Sequence, residues 1–117
     1  EPMAETGDLA DEAGMDAATA VAGSGAAYVY AFTQALADAG VRAGLDAATA
    51  ETLARATLKS AADAMGDEAL DALIGRIASP GGSTRAGLEA MQRDGRLTTM
   101  LDDTVAAAVR RNREMGA

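Results

Sequence analysis

The chain has 117 residues, a formal net charge of −8, an apolar fraction of 49% and an aromatic fraction of 3%, and it contains no cysteine or histidine. Its length suits one domain, and the acidic balance argues against a nucleic-acid backbone as partner. The missing cysteines and histidines remove disulfides, thiol chemistry, the commonest general base and the commonest metal ligand, so no metal site is expected.

Every long pattern has a helical period. A short helix is expected from about Asp11 to Val21, after ten residues with no usable period that read as disordered or as a remnant (1–10). Gly23 or Ser24 then starts a helix through Tyr28, Phe32, Leu36 and Ala43, which Gly44 ends. Asp46 caps a second long helix through Leu53, Leu58 and Met65, and Gly66 stops it. Asp67 is expected to cap a short helix with Leu70, Leu73, Ile74 and Ile77 on one face. A further helix through Leu88 and Met91 breaks at Asp94-Gly95. The last helix carries Leu97, Met100, Leu101, Val105 and Val109 on one side and arginines at its carbonyl end. No strand pattern survives, so the fold class is all-α, a helical bundle. Alanine and glycine bury little area each, so one chain has a thin core, which a second chain would complete. No apolar run reaches membrane length and no signal peptide opens the chain, so a cytoplasmic setting without a membrane partner is expected.

Two segments invite a chemical reading. Gly23-Ser24-Gly25 opens a helix as dinucleotide loops do, but the preceding stretch is helical and Tyr28 stands where a third glycine belongs. A sharp corner between helices fits better. Ser79-Pro80-Gly81-Gly82-Ser83-Thr84 lies at the start of the Leu88 helix. Proline and paired glycines make a tight turn there and present free N–H groups at the positive end of the helix dipole. A small carboxylate would fit; so would a plain turn with Ser83 or Thr84 as helix cap. The carboxylates Asp38, Asp46, Glu51, Asp63, Asp67, Glu68 and Asp71 read as solvated helix faces, and Met65, Met91 and Met100 as core filler.

Gly23-Ser24-Gly25-Ala26-Ala27-Tyr28, then Ala37-Asp38-Ala39-Gly40-Val41-Arg42-Ala43-Gly44-Leu45, then Ser79-Pro80-Gly81-Gly82-Ser83-Thr84 succeed one another in an order that resembles the C-terminal domain of pyrroline-5-carboxylate reductases. The resemblance runs from about Asp11 to the end, with departures: Ala26 replaces a proline, and Ser60 and Asp63 stand where glycine and lysine are common. The stretch from Ser60 to Ser79 is about two residues short. The resemblance implies an all-helical domain over residues 11–117 that interleaves with its twin as a homodimer or higher oligomer. It also implies an N-terminal Rossmann domain that this sequence lacks.

By position, the resemblance implies that Thr84 hydrogen-bonds the reacting ring nitrogen as the catalytic residue. It places Ser79, Gly82 and Ser83 at the substrate carboxylate, largely through main-chain N–H groups, and makes Gly81 and Thr84 substrate-binding with them. The full enzyme would reduce 1-pyrroline-5-carboxylate to L-proline with NAD(P)H in proline biosynthesis; these residues alone would bind no cofactor and show no reductase activity. The other reading is a stand-alone helical dimerisation module whose turn is structural only.

Overall fold

The computed structural model describes residues 11–116. The expectation for residues 1–10 lies outside them. Six α-helices occur among the described residues: α1 (Glu12–Ala18), α2 (Gly25–Arg42), α3 (Ala47–Met65), α4 (Leu70–Ile77), α5 (Ser83–Gln92) and α6 (Arg96–Gly116). There is no strand among them, as the periodicity requires. The described residues divide into two compact units, one of 11–28 with 92–116 and one of Val29–Met91.

In the first unit Asp11 caps α1, its carboxylate accepting the Gly14 N–H at 2.6 Å. Between α1 and α2 the chain widens into a π-helical turn over Thr19–Gly23. The Ser24 N–H reaches the carbonyl of Thr19 (3.1 Å), five residues back, and the Thr19 hydroxyl donates to the Met15 carbonyl at 2.9 Å. Ser24 keeps helical torsion angles (φ −95°, ψ −12°), so this is a bulged helix rather than the sharp corner expected from the glycines. The widened turn and α1 both pack on α6, and Ala20 is buried. Asp94 and Gly95 are both left-handed (φ 57° and 70°) and end the preceding helix through a 3₁₀ turn, where the break was expected. Aspartate is one of the few residues that enter this region at modest cost.

In the second unit α2 ends at a left-handed Gly44 (φ 123°). The Leu45 N–H bonds the Gly40 carbonyl and the Gly44 N–H bonds the Val41 carbonyl, both at 3.0 Å. This paired closure satisfies the last carbonyls of a helix and suits glycine at its pivot. Asp46 caps α3 through the Thr49 N–H at 2.9 Å. Asp67 does not cap α4: Ala69 holds the cap position and makes no side-chain cap bond. Glu68, in the connecting turn, pairs instead with Arg76 in the last turn of α4.

The described apolar residues that are buried are all alanines: Ala20, Ala50, Ala54 and Ala78. Larger apolar residues stand open on the helix faces, among them Tyr30, Phe32, Leu70 and Ile77, with Ile77 71% exposed. Met65, Met91 and Met100 are exposed too, so within this chain they are not core filler. Alanine cores let helices approach closely but leave the long side chains on the outer faces without cover.

Candidate functional site

The connection between α4 and α5 runs from Ala78 to Gly82. Ala78 leaves α4 in an extended conformation (φ −93°, ψ 92°), with its N–H still bonded to Ile74 O. The Gly82 N–H then donates to the Ser79 carbonyl at 3.1 Å, closing a four-residue turn. Pro80 occupies the second position and Gly81 the third, with φ 76°. That combination defines a type II turn, where proline presets one torsion and the third residue needs positive φ. A side chain at Gly82 would stand 2.9 Å from Ser79 Oγ and 3.3 Å from the Ser79 carbonyl. Gly81 is therefore demanded by its torsion, whereas a side chain at Gly82 would displace the Ser79 hydroxyl and press on the Ser79 carbonyl by a few tenths of an ångström.

The Ala86 N–H makes the first bond of α5, to the Gly82 carbonyl at 3.1 Å. Gly82 thus holds the cap position; Ser83 and Thr84 are already inside the helix and are not its cap. The N–H groups of Ser83, Thr84 and Arg85 precede the first intrahelical bond and sit at the positive end of the helix dipole. The Gly82 N–H is engaged within the turn, so the donors left open begin at Ser83. Ser79, Gly81, Ser83 and Thr84 are all exposed and Gly82 is half-buried. The structure gathers the five expected residues in one turn and the first turn of its helix. It also adds Arg85, which the sequence did not single out: its guanidinium donates to the Ala78 carbonyl at 3.1 Å.

Elsewhere, the expected solvated carboxylates are all exposed. Asp46 is held below the ordinary carboxylate range, first by the Thr49 N–H and then by the Thr49 hydroxyl. Arg76 is raised by its hydrogen bond to Glu68. No group of histidine, cysteine, aspartate or glutamate among the described residues is arranged to hold a metal.

One carboxylate is different. Asp16, on α1, is 9% exposed and accepts from Asn112 Nδ2 at 2.7 Å and from Arg113 Nε at 3.2 Å. With Glu12 and Met115 these residues line an open cleft of about 420 Å³. Each Asp16 oxygen accepts one hydrogen bond from the end of α6, so the cluster clips α1 to that helix. Spacing along the chain gave no signal for this pair, whose members are 97 positions apart.

The sequence model of a family described as pyrroline-5-carboxylate reductase dimerisation matches residues 12–115. The chain belongs to this family. It is 38% identical over 109 residues to pyrroline-5-carboxylate reductase 2 of Bacillus subtilis, covering 92% of this chain and 39% of that protein. It is 40% identical over 104 residues to the pyrroline-5-carboxylate reductase of Synechocystis, covering 87% and 39%. Among solved structures it resembles the Plasmodium falciparum pyrroline carboxylate reductase with NADP bound. That match has a TM-score of 0.81 and 35% identity, and covers 92% of this chain and 41% of the other. The chain thus spans about two fifths of the curated relatives it matches. The all-helical dimerisation domain expected from the motifs is what the fold and the family match show.

Proposed function

We propose that this chain is the dimerising, substrate-seating part of a pyrroline-5-carboxylate reductase. In that enzyme a dinucleotide-binding domain would hold NAD(P)H, which would supply the hydride for the imine carbon of 1-pyrroline-5-carboxylate while the ring nitrogen gains a proton, giving L-proline in the cytoplasm. The observation that carries the reading is the type II turn at Ser79–Gly82, which opens directly into the unpaired N–H groups of Ser83 and Thr84. A helix start of this kind suits a carboxylate. Thr84 Oγ1 has no hydrogen-bond partner among the described residues, and in this reading it donates to the ring nitrogen. Ser79 and Gly81 shape the turn, Gly82 brings its backbone close, and Ser83 acts through its N–H. The cofactor supplies the chemistry, while these residues orient the ring.

A homodimer is part of the proposal. The apolar faces of α2 and α4, with Phe32 52% and Leu70 63% exposed, are what a second copy would cover. Interfaces that complete a shared core are large and apolar. Among the described residues no strand leads into a glycine-rich loop, and the proposal assigns cofactor binding to the partner domain.

The test is to join a Rossmann domain from a relative to residue 11 and follow NAD(P)H oxidation with 1-pyrroline-5-carboxylate. The proposal expects activity in the joined protein and none in either part alone. A folded, dimeric fusion that binds NAD(P)H yet leaves the substrate untouched would overturn it.

A further inference from the structure

The geometry points to Arg85 as the positioning residue of the turn: through its bond to the Ala78 carbonyl it holds Ser79–Gly82 in register with the start of α5. The effect of Arg85 on ligand binding rests on the proposed carboxylate seat; its effect on the turn does not.

Backbone bonds fix three points of the connection between α4 and α5. The Ala78 N–H finishes α4 on Ile74 O, the Gly82 N–H closes the turn on Ser79 O, and the Ala86 N–H opens α5 on Gly82 O. None of these fixes the peptide between Ala78 and Ser79, which leaves an extended residue (ψ 92°). Its carbonyl is the group that Arg85 takes, at 3.1 Å. The bond closes a ring across the whole turn, from the residue before it to the third residue of α5.

The direction of the side chain is set by helix geometry. Helical side chains lean toward the N-terminus, so a long one in the first turn sweeps back over the preceding loop. Arg85 is half-buried there, and Ala78 is 2% exposed. A cation in the first turn meets the unfavourable end of the helix dipole. Arg85 makes no ion pair with any described carboxylate. Its place is therefore explained by the carbonyl it binds and not by charge pairing. Arginine also offers more donors than that one bond uses, in a rigid planar fork. The Ala78–Ser79 peptide sets where Ser79 points, and the Ser79 carbonyl in turn holds Gly82. Freeing the first peptide loosens the second bond and the presentation of the Ser83 and Thr84 N–H groups.

The test uses the chain itself, with Arg85→Met, which keeps the stem and removes the head, and Arg85→Lys, which restores a donor. Amide hydrogen exchange is measured without ligand, and L-proline is then titrated while the Ser83 and Thr84 amide resonances are monitored. In Arg85→Met the Gly82 amide is expected to exchange about tenfold faster while Ala54 in α3 is unchanged, and Arg85→Lys is expected to recover most of the protection. Proline affinity should fall several-fold in the methionine variant and return with lysine. Unchanged Gly82 exchange in Arg85→Met overturns the assignment, as does equal acceleration at Gly82 and Ala54, which would mean general destabilisation. If the methionine variant fails to fold, the lysine variant decides: Gly82 exchange within about threefold of the starting protein supports the role, and about tenfold acceleration refutes it. If the unaltered chain shows no proline shifts, the carboxylate seat is wrong, while the exchange arm still judges Arg85 as the brace of the turn.

Discussion

Replacing Gly81 by alanine isolates the torsional requirement of the turn. Gly81 has φ 76°, and an added Cβ would meet nothing within 4 Å. The cost is thus backbone strain alone, roughly 1–2 kcal/mol for an L-residue in a left-handed conformation. Alanine also restricts the unfolded chain, which offsets about 0.4–1 kcal/mol where the residue can be accommodated. The mid-values of the two leave a net loss of about 0.8 kcal/mol, or a fall in Tm of about 2–6 °C for a domain of this size. Asparagine tolerates left-handed torsions, so Gly81→Asn should lose about half as much. Unfolding is monitored by circular dichroism at one fixed protein concentration, because association would otherwise shift the midpoint. The ordering expected is glycine above asparagine above alanine. An alanine variant as stable as the starting protein would show that the turn does not require positive φ at this position.

Four further outcomes are expected. In the protein joined to a Rossmann domain, Thr84→Val should lower kcat about ten- to a hundredfold, more than it weakens substrate binding, whereas Ser83→Ala should do much less. Unchanged kcat/KM in the valine variant would leave Thr84 without a catalytic role. Asp16→Ala removes the acceptor of Asn112 and Arg113 and should cost about 1–3 kcal/mol in chemical denaturation, with Asp16→Asn intermediate. The Asp46 carboxyl is held low by the Thr49 N–H and hydroxyl, so its stabilisation is present above the ordinary carboxylate range. That contribution is lost as pH falls through the lowered value; a carboxyl carbon titration should show a midpoint below that of a free aspartate, with the Thr49 amide tracking it. Sedimentation equilibrium at micromolar concentration should show a dimer, and a stable compact monomer would contradict the proposed second copy.

The helix ends that were legible are those where one residue carries the signal by itself. Gly44 supplies positive φ and Asp46 a carboxylate three residues before an N–H, and both act as local chemistry requires. Asp67 carries the same cap chemistry, but α4 starts three residues later, and Glu68 is drawn to Arg76 across the length of α4. The π turn at Thr19–Gly23 was missed because one extra residue in a helix leaves no compositional mark. At the site, Pro80 and Gly81 announced the turn, but the loss of the Gly82 N–H to Ser79 required the closed geometry. Arg85 and Asp16 were illegible for one reason: their partners are decided by how a long side chain, or a remote helix, returns in space. Met65, Met91 and Met100 looked like core because their period is apolar, and period alone does not say which chain covers a face.

The seat for a carboxylate at Ser79–Thr84 is tested most directly by titrating the chain with L-proline and, separately, with pyrrolidine, which has the ring but no carboxylate. Affinity is expected to be weak, about millimolar, because few atoms of so small a ligand are buried without the cofactor domain. L-proline should shift the Ser83 and Thr84 amide resonances in a saturable way and pyrrolidine should not. No shift at high millimolar L-proline, or the same shifts from pyrrolidine, would contradict a carboxylate held by the open N–H groups of α5.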